Sequence, residues 1–265
     1  MPIPRTSTIA GAISLLALGQ PLILGTTTAL TTAAVVLSTQ AAHAQSTAVH
    51  HNNRGVDKNN SGDHQGAIVD FTKAIEIDPQ YALAYYNRGL AKSELGDHQG
   101  AIADYTKAIA INPQYASAYN NRGLEKMDSD DCQGAIADLT KAIRINSKNA
   151  DGAYGARAFC RAQLKDYQGA ISDYSKALEI DPDVALWLFH RGIAKYISGD
   201  RKGAIQDYTQ GLTIDPTHDM SGTIYYFRAR SRGAEGDIQG ACLDLKKAAS
   251  LGKEDAAKLA KRNCR

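Results

Sequence analysis

Arginine and aspartate recur together at a fixed spacing along this 265-residue chain. Each arginine precedes its aspartate by sixteen residues, and the six pairs are Arg54 with Asp70, Arg88 with Asp104, Arg122 with Asp138, Arg157 with Asp173, Arg191 with Asp207 and Arg228 with Asp244. Guanidinium groups bind phosphates, and carboxylates serve as general acids or bases. A reactive site has no reason to be copied identically six times, whereas a packing device has. We therefore predict structural ion pairs, within or between neighbouring repeats, rather than catalytic residues.

Other reactive residue types form no recognisable catalytic or metal-binding motif. The sequence contains no Gly-x-Ser-x-Gly elbow, no phosphate-binding glycine loop and no His-Glu-x-x-His, and its seven histidines are scattered. The cysteines lie in separate repeats and include no Cys-x-x-Cys. The formal net charge is +2 with both signs mixed, which gives no basic stripe for a nucleic acid. We expect no enzyme activity, cofactor, metal, small-molecule substrate or nucleic-acid partner.

The elements that must position these residues are short helices in a 34-residue repeat. Three columns of small residues and one mainly aromatic column keep the same offsets in six copies, and most copies end in Asp-Pro or Asn-Pro. In the copy from Ala82 to Tyr115 the marked residues are Tyr85, Gly89, Ala101, Tyr105, Ala108 and Pro113. Small residues at these offsets let two antiparallel helices approach closely, and the closing proline ends the second helix.

These marks resemble the tetratricopeptide repeat family. The resemblance implies an all-α fold, a right-handed α-solenoid of six tetratricopeptide helix-turn-helix repeats with a C-terminal capping helix at 256–265. The predicted repeats span residues 48–81, 82–115, 116–149, 151–184, 185–218 and 222–255. A turn near positions 15 and 16 of each repeat would bring the arginine and aspartate columns to the same height, where a guanidinium can donate two hydrogen bonds to a carboxylate.

Position 16 is aspartate in every repeat and immediately precedes the second helix. An aspartate there can cap the free backbone N–H groups of the helix. The residue three places later is always glycine, as in Gly66 and Gly134, although glycine lowers helix propensity. A close backbone approach is one explanation for this glycine column.

The family resemblance also implies a concave groove lined by the first helix of each repeat, mainly through positions 2, 5, 9, 12 and 13. These positions vary between repeats, as expected of a binding face for a protein or peptide partner. The groove residues predicted on this basis are Tyr86, Leu90, Phe159, Phe189, Tyr196 and Tyr226, with Asn87 and Asn121 at position 6 nearby. Some of the aromatic residues, Phe189 in particular, could instead pack between repeats. The asparagines could bind a peptide backbone or bridge helices within the scaffold.

The first 44 residues have a different composition. No Lys, Arg, Asp or Glu occurs between Arg5 and Arg54, and Ala42-His43-Ala44 forms a small-x-small pattern before Gln45. One early positive charge, an apolar core and this pattern predict a signal peptide at 1–44 and an exported, periplasmic or secreted scaffold. The alternative is an uncleaved membrane anchor, which would suit an assembly factor for an envelope or photosynthetic-type complex. A membrane is a partner only in that second case.

Four cysteines in an oxidising compartment raise the question of disulfides. The capping helix should run antiparallel to the helix carrying Cys242, which brings Cys264 to a similar height. Cys132 and Cys160 lie in consecutive helices. The candidate bridges are Cys242–Cys264 and Cys132–Cys160, and the alternative is four free thiols.

Overall fold

The computed structural model describes residues 24–148 and 150–264, with side chains described at residue 36 and from residue 38 onward. Residues 1–23 of the predicted signal segment at 1–44 therefore lie outside the described residues. The described chain forms helices and no strand. The helices are α1 (Leu24–Asn60), α2 (His64–Ile77), α3 (Ala82–Glu94), α4 (His98–Ile111), α5 (Ala116–Asp128), α6 (Cys132–Ile145), α7 (Asp151–Gln163), α8 (Tyr167–Ile180), α9 (Ala185–Ile197), α10 (Arg201–Ile214), α11 (Ser221–Ala234), α12 (Ile238–Ser250) and α13 (Glu254–Asn263).

The chain divides into two units between Gln45 and Ser46. Within the first unit, the described residues from Leu24 onward are helical, and the described side chains are mostly exposed. The predicted cleavage position before Gln45 falls within α1. Across the described residues, no helix combines the length and the apolar character needed to cross a bilayer.

The second unit is an all-α solenoid of helical hairpins. From α2 to α13, consecutive helices pack against each other, and the first helices also touch from the third repeat to the sixth, α5 with α7, α7 with α9 and α9 with α11. Helices α3 and α4 lie within the predicted repeat 82–115, and α5 and α6 lie within 116–149. Helix α11 begins at Ser221, one residue before the predicted sixth repeat, and α13 begins at Glu254, two residues before the predicted cap.

An aspartate caps the second helix of every repeat. The side chain of Asp131, for example, accepts a hydrogen bond of 2.9 Å from the backbone N–H of Gly134. A Cβ added to Gly134 would lie 2.1 Å from Asp131 Oδ2. The glycine column is therefore explained by the cap itself, because only a residue without a side chain leaves room for the carboxylate.

Small residues in the first helix allow the aromatic column of the second helix to lie against its backbone. A Cβ added to Gly89 would lie 2.7 Å from the ring of Tyr105, and one added to Gly192 would lie 2.5 Å from the ring of Tyr208. Both tyrosines are almost completely buried. This close approach fixes the distance between the two helices of each hairpin.

The last helix closes the apolar end of the solenoid. Ala256 is buried, and Leu259 and Ala260 pack against a cluster that includes Ala229 and Leu245. A disulfide joins Cys242 to Cys264, with 5.5 Å between their Cα atoms, so this predicted bridge is present.

The second candidate bridge is wrong in this structure, because Cys132 and Cys160 are free thiols. Cys132 packs against the apolar cluster that contains Cys160. Cys160 is buried, and burial raises the pKa of its thiol strongly. Disulfide chemistry needs a thiolate, which burial disfavours at this position.

Candidate partner-binding groove

The helices that line the groove are fixed by the predicted arginine–aspartate pairs. In the third repeat, Arg122 Nε donates to Asp138 Oδ2 at 2.8 Å, and Arg122 Nη2 donates to Asp138 Oδ1 at 2.6 Å. The same two-bond arrangement joins the arginine and aspartate within each of the six repeats. All six aspartates are buried, so each carboxylate takes its main partner from the other helix of its own hairpin.

Each arginine after the first also reaches the preceding repeat. Arg122 Nη1 donates to Thr106 Oγ1 at 3.0 Å. The equivalent acceptors are Thr72 for Arg88, Thr140 for Arg157, Ser175 for Arg191 and Thr209 for Arg228. The guanidinium therefore bonds across the hairpin and across the repeat boundary at once, which fixes the position of one hairpin relative to the next.

A second cation completes this network. Lys126 Nζ lies 2.8 Å from Asp138 Oδ2, and the corresponding residues in the other repeats are Lys58, Lys92, Arg161, Lys195 and Arg232. Burial raises the pKa of Asp138, but the bonds from Arg122 and Lys126 outweigh it, so the pKa is lowered overall. The pKa of Asp70 is also lowered, chiefly by its hydrogen bond from Arg54.

The N-terminal part of the groove, in repeats 1 to 4, is polar. Asn121 Nδ2 donates to the Tyr86 hydroxyl oxygen at 3.1 Å, and Asn87 Nδ2 donates to Asn52 Oδ1 at 3.0 Å. Burial raises the pKa of Tyr86, although its side-chain hydrogen bonds oppose the shift. Tyr86 and Asn121 line a cavity of about 350 Å³ together with Asp151 and other polar residues.

The middle of the groove, in repeats 4 and 5, is apolar and aromatic. Phe159 and His190 make an edge-to-face contact with ring centroids 5.8 Å apart, and His190 stacks on Tyr174 at 5.9 Å. These three residues form the shared wall of two cavities, of about 250 and 270 Å³. Trp187 lines the first cavity and Ile193 lines the second. Burial lowers the pKa of His190, so its ring is neutral at neutral pH.

The C-terminal part of the groove carries a cation held by aromatic rings. The guanidinium carbon of Arg230 lies 5.7 Å from the ring centroid of Tyr196 and 5.9 Å from that of Tyr226. Phe227 contacts both tyrosine rings, at 5.3 and 5.8 Å. Arg230 is exposed and forms no salt bridge with any residue whose side chain is described.

Models of one repeat family match three stretches of the chain. A model described as "Tetratricopeptide repeat" matches residues 82–115 and 152–184, and one described as "TPR repeat" matches 59–96. The first stretch is the predicted second repeat, and the second lies in the fourth. The chain contains tetratricopeptide repeats. It therefore belongs to a class of proteins that act as scaffolds for protein–protein interaction.

Solved structures of tetratricopeptide repeat proteins have the same fold. A structure titled "Crystal structure of MamA protein" is 25% identical, with a TM-score of 0.60 over 64% of this chain and 92% of its own. YrrB, titled "a TPR protein with an unusual peptide-binding site", is 22% identical, with a TM-score of 0.65 over 72% of this chain and 97% of its own. The Pseudomonas aeruginosa pilF structure is 17% identical, with a TM-score of 0.66 over 84% and 99%. At these sequence identities, the similarity to YrrB and pilF is evidence for the fold only. No curated protein matches this chain.

One predicted groove residue of these tetratricopeptide repeats is wrongly placed. Phe189 is fully buried in the core between repeats, where it contacts the ring of His218 at 5.3 Å. A Cβ added to Gly211 would lie 2.4 Å from the ring of Phe189. The other repeats have alanine in the column of Gly211, so this glycine provides the space that draws Phe189 inward.

The other predicted groove residues keep at least part of their surface. Leu90, Asn121, Phe159, Tyr196 and Tyr226 are half-buried, as is Tyr86. Asn87 is nearly buried and bonds to the preceding repeat. Of the two interpretations of the asparagine column, the bridging one therefore applies to Asn87.

Sequence reasoning missed two residues of this surface, namely His190 and Trp187, whereas Arg230 occupies position 9, one of the predicted groove positions. Trp187 occupies the space above Gly155, where an added Cβ would lie 2.5 Å from the indole nitrogen. The sequence did contain a signal for Trp187, namely a glycine at a groove position of one repeat and a tryptophan in the next repeat. His190 and Arg230 each depart from the residue types of their own columns.

Proposed function

We propose that this protein holds a peptide segment or helix of a partner protein in its concave groove. The observation that carries the proposal is the pair of cavities on either side of Phe159 and His190. Elsewhere the scaffold repeats one packing scheme, in which small residues fill each contact between helices. These cavities occur where the residues at the groove positions differ most from those at the same positions of the other repeats. Apolar walls with a few polar groups nearby are typical of sites that bind other molecules.

Binding by this groove would need little rearrangement of the scaffold. The six arginine–aspartate pairs and their cross-repeat bonds hold the first helices in place. A preformed surface avoids much of the entropy cost that a mobile one would incur on binding. The proposed role is therefore to hold a partner, without catalysis.

A pull-down with groove variants tests this proposal. We expect the protein bearing Phe159→Ala and Tyr196→Ala to lose partners that the parent protein retains after crosslinking in cells. Leu243→Ala is the matched control, because Leu243 is an exposed apolar side chain on α12, outside the groove. Equal partner recovery by the double variant and the control would refute groove binding.

We also propose that the protein is exported, with residues 1–44 removed as a signal peptide. The uncharged segment before Arg54 and the disulfide between Cys242 and Cys264 support this location, because disulfides persist in oxidising compartments. Mass spectrometry of the protein from its native host should give a mature N-terminus at Gln45. An intact N-terminal segment in a membrane fraction would favour the alternative, a membrane-held assembly factor for an envelope or photosynthetic-type complex.

A further inference from the structure

The groove has an unequal distribution of charge along its length. In repeats 4 to 6, the positions that line it (2, 5, 6, 9, 12 and 13) carry a single charged residue, Arg230. In repeats 1 to 3 the charged residues at these positions are both acidic, Glu94 and Asp128. An extended partner would therefore meet negative charge towards the N-terminal repeats and positive charge at the sixth.

The smaller cavity beside Phe159, which Trp187 lines, suits an uncharged, apolar side chain, whereas the larger one also has Gln163 in its wall. A water molecule occupies about 30 Å³ of liquid, so cavities of about 250 and 270 Å³ have room for a side chain rather than a single water. Their aromatic walls include His190, whose pKa is lowered by burial and by the nearby His218. A charged side chain would lose its hydration there without gaining a partner, whereas an apolar one would gain from burial.

Helix α9 connects these cavities to Arg230. Ile193 and Ile197 line the second cavity, and Tyr196, one helical turn from Ile193, contacts the guanidinium of Arg230. One turn of helix rises about 5.4 Å, and an extended chain advances about 3.3 to 3.6 Å per residue. The 5.7 Å from the Tyr196 ring to the Arg230 guanidinium adds to this rise, so a partner residue in the cavity would place a side chain two to four residues away beside Arg230.

Arg230 has the properties of a site that binds a carboxylate. Its guanidinium is positioned by Tyr196 and Tyr226, and no carboxylate of the described part of the chain pairs with it. A planar guanidinium binds a carboxylate through two parallel hydrogen bonds. The rings reduce the conformational freedom that a long side chain would otherwise lose on binding.

We infer that the partner segment is an acidic peptide with an aliphatic or aromatic anchor. The anchor enters the cavities beside Phe159 and His190, and an aspartate or glutamate two to four residues away pairs with Arg230. This inference rests on the proposed function, because it names the chemistry of the partner that the groove holds.

The test uses a phage library of random twelve-residue peptides selected against the whole protein. We expect the selected peptides to contain an aliphatic or aromatic residue and an acidic residue within four positions of it. Their synthetic versions are then titrated by fluorescence, with Trp187 as the reporter, since it is the single tryptophan of the chain and lines the first cavity.

Variants separate the two contacts. Phe159→Ala should weaken every selected peptide at least tenfold. Arg230→Ala should weaken the acidic peptides about tenfold but leave unchanged their versions with Asn or Gln in place of the acid. Arg201→Ala is the matched control, because Arg201 is an exposed arginine at the start of α10, away from the groove.

The outcomes distinguish this inference from the proposal on which it rests. Peptides that lose affinity with Phe159→Ala but bind equally well with Arg230→Ala, or that are enriched in lysine and arginine, would overturn the acidic-peptide inference and leave groove binding intact. Selection of no peptide, or of peptides insensitive to Phe159→Ala, would overturn both.

Discussion

Removal of one arginine from the central network should destabilise the protein strongly. In Arg122→Ala, the buried carboxylate of Asp138 loses two hydrogen bonds, and Thr106 loses its cross-repeat donor. Breaking a buried ion pair from one side costs about 3–5 kcal/mol. Lys126 remains on Asp138 and continues to supply a positive charge. The expected loss in free energy of unfolding is therefore near the lower limit, at about 3 kcal/mol.

A double-mutant cycle separates the ion pair from the rest of this effect. Asp138→Ala alone should also be costly, because it leaves the cations of Arg122 and Lys126 side by side without their shared carboxylate. In the double variant both members of the Arg122–Asp138 pair are removed and Lys126 alone is left without its carboxylate, so the loss should be smaller than the sum of the single losses. Residues in direct contact show interaction energies of about 0.5–3 kcal/mol, and this bidentate pair should lie in the upper half of that range.

The assay is urea unfolding followed by circular dichroism at 222 nm, with hydrogen exchange to locate the affected repeats. The nearest-neighbour character of a solenoid predicts that protection falls first around repeats 2 to 4. Arg54→Ala is the comparison variant, and it should be milder, because Arg54 has no preceding repeat and its side chain is 43% exposed. Strict additivity of the two single variants would falsify the paired arrangement.

Three further variants probe features of individual repeats. Lys165 has a φ of 65°, so Lys165→Gly should raise the free energy of unfolding by about 1 kcal/mol, while Lys165→Ala should give no such gain. Gly211→Ala should cost about 1–3 kcal/mol by crowding Phe189, and a parent-like urea midpoint would contradict the packing described for that ring. The pKa of His98 is raised by its hydrogen bond to Glu125, so the stability from this contact is complete below the unfolded pKa of about 6.5 and is lost as pH rises through the folded pKa. Urea midpoints of the parent should therefore fall between pH 6 and 8.5 more than those of His98→Gln.

The fold could be predicted from the sequence because each repeat encodes it again. The aspartate caps, the glycines beside them and the arginine–aspartate pairs recur in every copy, so a misassigned copy would conflict with the others. The glycine column lacked an explanation from sequence, since the clash that it avoids depends on the direction of a carboxylate three residues earlier. The structure supplies that direction, with the missing Cβ of Gly66 about 2.0 Å from Asp63 Oδ2.

The groove was harder to predict because it depends on the exceptions within columns. Phe189 and Phe159 occupy equivalent surfaces by position, yet one is buried and the other lines two cavities. Phe189 stands at position 5 of its repeat and Phe159 at position 9, and Gly211 on the other helix provides the space that the ring of Phe189 fills. Position alone therefore assigns a residue to the first helix face, but the volume of its neighbours decides whether it stays there.

The stabilising network and the groove use different faces of the same helices, and this separation allows the groove to vary. Arg122 and Lys126 lie four residues apart on α5 and point to Asp138, whereas Asn120 and Asn121 belong to the polar groove. Because the network fixes the spacing of the hairpins, a change in a groove residue alters the surface without altering the scaffold. His190 illustrates the consequence, since a half-buried neutral ring in a column that carries asparagine in the first three repeats changes the middle of the groove from polar to apolar. The selectivity of this protein for a partner should therefore be transferable, and exchange of the groove residues of repeats 4 to 6 other than the buried Phe189 should change the peptides bound while leaving the urea midpoint close to that of the parent.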